Sequence, residues 1–318
     1  MNHSWVEKYR PTKLDDISSQ NNIVITLKNT LLTKRIPHLL FYGPSGCGKT
    51  STILALTKEL FGEEIYTNRI MELNASDERG INIIRDKIKR YAKQLVNTNN
   101  GAPPWKLIIL DEADTMTPDS QFALRRIIEK YSNITRFCII CNYYTKIIEP
   151  IVSRCSVFQF KSISDDKIKL KLEYICDQEK LYCSDKIISK IIKLARGDLR
   201  KGINYLQKCS NNNEDFNNEC LDEISGIIPD KIFINLMELI LKKDIDNVHI
   251  QMDKIYLDGY SLVNQIVLFH DYIINSNIES SKKAEIIYMI AQIDHHIIKG
   301  CSEYIQFMKL IYFIMNII

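Results

Sequence analysis

Eight consecutive residues, Gly43-Pro-Ser-Gly-Cys-Gly-Lys49-Thr50, fit the phosphate-binding loop pattern completely. Glycines at such spacing let the backbone curl until several N–H groups converge on phosphate oxygens. A helix starting at Lys49 adds the positive end of its dipole. Lys49 is then expected to reach the β- and γ-phosphates of a nucleotide, and the Thr50 hydroxyl to bind Mg²⁺. Replacing Lys49 is expected to spare the fold, as for a lysine on an exposed loop. Downstream, the apolar run Leu107–Leu110 leads directly into Asp111-Glu112-Ala113-Asp114. A buried strand ending in acids sets carboxylates at the edge of the sheet where the phosphate loop also lies. Asp111 is expected to hold Mg²⁺ through water, and Glu112 to orient and deprotonate an attacking water.

Three further polar positions fall where a nucleotide site needs them. Asn142 ends the apolar run Phe137–Cys141, within reach of a γ-phosphate or a lytic water. Ser153-Arg154-Cys155 follows on a turn after Pro150, and Gly197-Asp198-Leu199-Arg200 opens a helix. That second arginine stands where a closing lid would touch phosphate. Taken singly, each arginine also reads as a surface charge. Arg85, Lys89 and Lys93 recur every four residues beside Ile81, Ile84, Ile88 and Leu95, which are expected to face the core. From composition alone this basic stripe is a solvated helix face.

The elements that position these residues follow from periodicity. Strands are predicted at His38–Tyr42, Ile70–Leu73, Leu107–Leu110, Phe137–Cys141 and Val157–Phe160. Helices are predicted from Lys49, over Ile81–Leu95 and over Asp119–Tyr131, the alternation of a parallel sheet with crossovers. Asn97–Pro104, with Asn-Gly and Pro-Pro, reads as an exposed turn, and the polar run Ser210–Asn218 as a surface loop. After Lys161 the strand signals stop and only helical patterns remain. The expected architecture is an α/β P-loop core over residues 1–160, a helical lid over 161–226 and a helical bundle over 227–318.

Composition excludes several classes. With 45% apolar and 25% charged residues over 318 positions, the chain is neither disordered nor fibrous. A net charge of +3 predicts no polyanion partner in bulk, so any nucleic-acid surface must come from local clustering. Nine cysteines form no framework, which points to reduced thiols in a reducing, intracellular compartment. Cys138 and Cys141 lie on one predicted strand, three apart, and so face opposite ways, a poor metal clip. Met1–Arg10 has no apolar core and is no signal peptide. The stretch Tyr304–Ile318 contains Lys309 and falls short of the ~20 residues of a membrane span. Its Phe307, Ile311, Ile314 and Ile318 predict a buried helix, and no membrane partner is expected.

At this point a resemblance becomes specific. The chain resembles AAA+ ATPases and, among them, the small subunits of replication factor C. The residues that carry it are Trp5-Val-Glu-Lys-Tyr-Arg-Pro11, the phosphate loop, Asn74-Ala-Ser-Asp-Glu-Arg-Gly80, Leu110–Asp114 and Ala123-Leu-Arg-Arg126. They continue in the family's order with Cys141-Asn142, Ile148–Cys155 and Gly197–Arg200. The resemblance implies an ATP- and Mg²⁺-dependent ATPase of a sliding-clamp loader. Val6 and Arg10 would line the adenine pocket. Gly43, Pro44, Ser45, Gly46, Cys47, Gly48, Lys49, Thr50 and Ser51 would hold the phosphates. Asn142 and Arg200 would act as sensors within the subunit, and Arg154 would enter the neighbouring subunit's site. Ser45 and Cys47 stand where the family more often has Pro and Thr, and Cys47 leaves an oxidisable thiol near the phosphates. The family also turns the stripe of Arg85, Lys89 and Lys93 into a DNA-binding surface tracking phosphates. Implied partners are other subunits of a hetero-pentameric ring, a sliding clamp and primer-template DNA, in the nucleus of a eukaryotic host. The last third matches no motif, so its reading as an oligomerising collar rests on position. Two rivals are another AAA+ remodelling ATPase and a nucleotide-binding scaffold subunit with little turnover. Stimulation of hydrolysis by a clamp distinguishes the first, and intact Glu112, Asn142 and Arg154 argue against the second.

Overall fold

The computed structural model describes residues 4–17, 19–76, 81–94, 103–211 and 218–318. They fall into two compact units, Met1–Gln207 and Lys208–Ile318. Most of the expected turn around 97–104 and of the polar loop around 210–218 lies outside the described residues.

In the first unit five parallel strands form one sheet: β1 (His38–Tyr42), β2 (Ile70–Asn74), β3 (Lys106–Asp111), β4 (Thr135–Cys141) and β5 (Cys155–Gln159). Their order is β2-β3-β4-β1-β5. The unit's first six helices are α1 (Trp5–Lys8), α2 (Asn21–Thr33), α3 (Lys49–Arg69, interrupted at Gly62), α4 (Ile81–Lys93), α5 (Pro118–Tyr131) and α6 (Glu149–Val152). Strand alternation splits the core into two layers. Leu39, Phe41, Leu107, Ile109, Cys138 and Ile140 pack with α2 and α3 on one face. Leu40, Ile108, Leu110, Phe137, Ile139 and Cys141 pack with α4, α5 and α6 on the other. Both faces are therefore covered, which explains why the strands read as continuous apolar runs. Cys138 and Cys141 lie in different layers, and burial raises the Cys141 thiol to about 12.

Local signals set the helix starts. Thr117 accepts a hydrogen bond from Ser120 N through its hydroxyl, and Pro118 occupies the first turn, an N-terminal arrangement that starts α5. After β5 come α7 (Asp165–Glu179), α8 (Asp185–Ala195) and α9 (Leu199–Asn211). α7 carries Asp165 and Asp166 in its first turn, where carboxylates complement the helix dipole.

The second unit contains α10 (Asn218–Ser225), α11 (Asp230–Leu241), α12 (Ile245–Leu257), α13 (Leu262–Asn275), α14 (Ser280–Ile298) and α15 (Glu303–Ile317). Phe233 and Phe307 meet the central Phe269 edge-on, at ring separations of 5.1 and 5.8 Å. Phe307, Ile311 and Ile314 are fully buried, so the apolar end of the chain is a core helix. No helix among the described residues is long and apolar enough to cross a membrane.

One strand residue carries a pH signature. His38 Nδ1 accepts a hydrogen bond from Phe137 N at 3.2 Å, which requires a neutral ring. Burial, with Arg136 nearby, lowers its pKa from 6.5 to about 4. The unfolded chain takes up that proton first, so the native state keeps its full stability above pH 6.5 and loses it as pH falls toward 4. The loss amounts to roughly 3 kcal/mol. His38→Asn retains an acceptor but cannot become charged. Scanning calorimetry between pH 7 and 4 is expected to show a smaller fall in melting temperature for the variant. Parallel curves for the two proteins would assign the acid sensitivity elsewhere.

Candidate active site

The sheet order explains why distant segments converge. β1 lies between β4 and β5, with β3 beyond β4, so the carboxyl ends of β1, β3 and β4 open on one crevice. The phosphate loop follows β1, the acids close β3 and continue just beyond it, and Asn142 follows β4. The register sets Tyr42 beside Cys141.

Within the crevice the predicted residues touch. The Lys49 ammonium donates to Gly43 O at 2.8 Å, Pro44 O at 2.7 Å and Asn142 Oδ1 at 2.9 Å. Thr50 donates its hydroxyl to Asp111 Oδ2 at 2.7 Å, while Asp111 Oδ1 accepts from Glu112 N at 2.9 Å. Glu112 has a φ of 53°, a left-handed conformation uncommon outside glycine, as turns at functional sites often hold. A cavity of about 240 Å³ joins the phosphate loop from Ser45 to Ser51 with Asp111, Glu112 and Asn142. Its walls also include Val6 and Arg10 from the N-terminal box and Arg200 from α9. α1 and the residue after it are tied to the following helices: Trp5 N donates to Gln207 Oε1 at 3.0 Å, and Lys8 and Tyr9 both donate to Glu179.

Two expectations change. Lys49 is only 8% exposed, because the loop wraps its own carbonyls around the ammonium. Truncating it leaves the buried Gly43 O without this donor, so the fold is not indifferent to its loss. Cys47 is also buried, its thiol donating to Pro44 O, and burial pushes its pKa up. The thiolate needed for easy oxidation is disfavoured there.

Other candidates lie outside the cavity. Arg154 is held at the protein surface, with Nη2 2.6 Å from Glu129 and Nη1 donating to Pro150 O at 2.7 Å. Lys89 and Lys93 are exposed on α4, beside the buried Ile88 and Ala92. The Arg85 side chain, Leu95 and residues 77–80 of the Asn74–Gly80 box lie outside what is described.

Three positioning groups went unread in the sequence. Asp114 Oδ2 accepts from the backbone N–H groups of Asn142 and Tyr143, both at 3.3 Å, and so aims Asn142. The buried Gln121 amide donates to Met116 O and Lys146 O and accepts from Ile148 N, fixing the segment between Asn142 and Arg154. Asp198 accepts the Ser45 hydroxyl at 2.8 Å. An acid directly before a helix was a legible capping signal; its second contact, with the phosphate loop, was not.

Known proteins are similar to this chain in sequence and in fold. Residues 39–163 match the model described as "ATPase family associated with various cellular activities (AAA)", and residues 228–312 match "Replication factor C C-terminal domain". Replication factor C subunit 2 of Saccharomyces cerevisiae is 42% identical, over 96% of this chain and 91% of that one. Replication factor C subunit 4 of Homo sapiens is 39% identical, over 96% and 86%. The replication factor C small subunit of Archaeoglobus fulgidus is 39% identical, over 95% and 94%. Among solved structures, the Thermotoga maritima RuvB Holliday junction branch migration motor superposes with a TM-score of 0.53 at 15% identity, covering 73% of this chain and 79% of that one. That likeness is one of fold.

Proposed function

The chain belongs to the replication factor C family, and from that premise we propose that it is an ATP-hydrolysing subunit of a sliding-clamp loader. One observation carries the ATPase reading: Lys49 bonded to Asn142, with Thr50 bonded to Asp111, in a single cavity. The hard oxygen donors of Thr50 and Asp111 suit Mg²⁺, which when bound neutralises charge on phosphate oxygens. Val6 and Arg10 flank the adenine. The loop N–H groups and Lys49 hold the phosphates, Asn142 orients the lytic water, and Glu112 accepts its proton. Arg200 contacts phosphate from the lid of the same subunit, and Arg154 serves the neighbouring one. Residues 1–160, 161–226 and 227–318 act as core, lid and oligomerising collar. Bound ATP closes a hetero-pentameric ring on the clamp and primer-template DNA, and hydrolysis releases the loaded clamp, in the nucleus of a eukaryotic host.

The exposed Lys89 and Lys93, with Arg85, supply the DNA contact. In the complex isolated with its native partners, clamp and primer-template DNA are expected to stimulate ATP hydrolysis together. Replacing Arg85, Lys89 and Lys93 with Ala is expected to weaken primer-template binding equally for unrelated sequences. The slope of log affinity against log salt is expected to shrink by about 0.9 per lost contact. Lys282, Lys299 and Lys309 provide a control of equal charge. Equal affinity and slope in the two triple variants would reduce the stripe to a solvated helix face.

A further inference from the structure

A carboxylate of the segment leading into α9 is bonded to the apex of the phosphate loop. Asp198 Oδ2 accepts the Ser45 hydroxyl at 2.8 Å, and Oδ1 accepts Lys201 N at 3.1 Å in the first turn of α9. The residue is 8% exposed. Its approach requires a glycine opposite: a Cβ on Gly46, whose φ is 64°, would lie 1.7 Å from Asp198 Oδ1. The turn is held from its other side as well. Ile163 N donates to Gly197 O at 3.3 Å, and a Cβ on Gly197 would meet the Ser162 Cβ at 2.9 Å. The start of α9 is thus pinned between the phosphate loop and the segment leaving β5. Leu199 and Arg200, the next two residues, line the cavity.

We propose that Asp198 is a positioning residue for the ATP site, bonding Ser45 at the apex of the phosphate loop and so fixing where Arg200 enters the cavity. This rests on reading the cavity as an ATP site with Arg200 as its lid contact. Asp198 acts through that arginine, since its own carboxylate oxygens are engaged by Ser45 and by the helix it caps. Ser45 is the donor half of the bond, and alanine there has no hydroxyl to donate. The bond links two segments 153 positions apart in sequence, so deformation of the loop at Ser45 is felt at the first turn of α9.

The test is a double-mutant cycle on the full chain, reading the affinity of a fluorescent ATP analogue. Ser45→Ala removes one hydrogen bond and is expected to weaken binding about fivefold. Asp198→Ala also removes the helix cap and is expected to weaken it further. Asp198→Asn keeps the size, with its amide oxygen still accepting from Lys201 N and its NH2 donating to the Ser45 hydroxyl oxygen instead, and is expected to restore most of the affinity, which separates geometry from charge. In an Arg200→Ala background, Ser45→Ala is expected to have almost no effect. Multiplicative losses from Ser45→Ala and Arg200→Ala would overturn the proposal. A full loss in Asp198→Asn would also overturn it, by making the charge the active property. Should Arg200→Ala alone bind the analogue as tightly as wild type, the reading of Arg200 is the one that fails. Ser45 lies on an exposed stretch of loop, so its variant decides the matter even if Asp198→Ala does not fold.

Discussion

Arg154→Ala is expected to leave nucleotide affinity at this subunit's own site nearly unchanged and to slow hydrolysis in the adjacent subunit by about 10³-fold or more. The expectation rests on where the side chain stands. Arg154 follows α6, outside the cavity that gathers Lys49, Asp111, Glu112 and Asn142. Its side chain is 35% exposed, and the guanidinium is held by Glu129, which also pairs with Arg125. Such surface pairs contribute little, so a neighbour's phosphate oxygens can displace Glu129 readily. The segment leading to the arginine is better fixed: Gln121 anchors Lys146 O and Ile148 N, and Ser153 N donates to Glu149 O. A firmly placed turn carrying a loosely held guanidinium suits a group donated across an interface. A mixed ring in which only this subunit carries the substitution provides the measurement, with turnover resolved by site. Loss confined to the mutated subunit's own pocket would refute action in the neighbour.

The fold was readable because its signals are local. The predicted strand His38–Tyr42 coincides with β1, and those at Ile70, Leu107 and Phe137 match β2, β3 and β4 to within two residues at either end. A parallel sheet covered on both faces writes each strand as an uninterrupted apolar run, bounded here by residues that turn the chain. The phosphate loop and the acids after β3 were readable for the same reason, since each motif is contiguous. α2 went unread, although Ile23, Val24 and Leu27 bury one of its faces. What stayed hidden depends on folding back. Asp114 touches residues 28 and 29 positions away, and no periodicity encodes that distance. The burial of Lys49 follows from the curl of its own loop, which a list of residue types does not convey. The second unit shows the opposite limit. Its helical spacing was plain, with Phe307, Ile311 and Ile314 in the core, yet no motif there spoke of function until the match over residues 228–312.

Glu112→Gln is expected to separate binding from hydrolysis, lowering turnover at this site by about 10²–10⁴ while ATP still binds. Three acids stand at the end of β3 and just beyond it, and their bonds distinguish them. Asp111 has both oxygens engaged, by the Thr50 hydroxyl and by Glu112 N. Asp114 spends Oδ2 on the N–H groups of Asn142 and Tyr143. Glu112 is the exposed acid of the three, and its side chain lines the cavity beside Asn142. Its left-handed backbone, φ 53°, follows from the turn into Ala113–Thr115, and glutamine meets the same backbone demand as glutamate. The substitution therefore changes one property, the capacity to take a proton from water. Lys49, Thr50 and Asp111 keep their contacts, so nucleotide affinity is expected to stay within a few-fold of wild type. The check combines single-turnover hydrolysis in the assembled complex with retention of ATP on the subunit after a chase of unlabelled nucleotide. Wild-type turnover at this subunit's site would remove Glu112 from the role of base. Loss of binding together with turnover would make it a ligand-holding group instead.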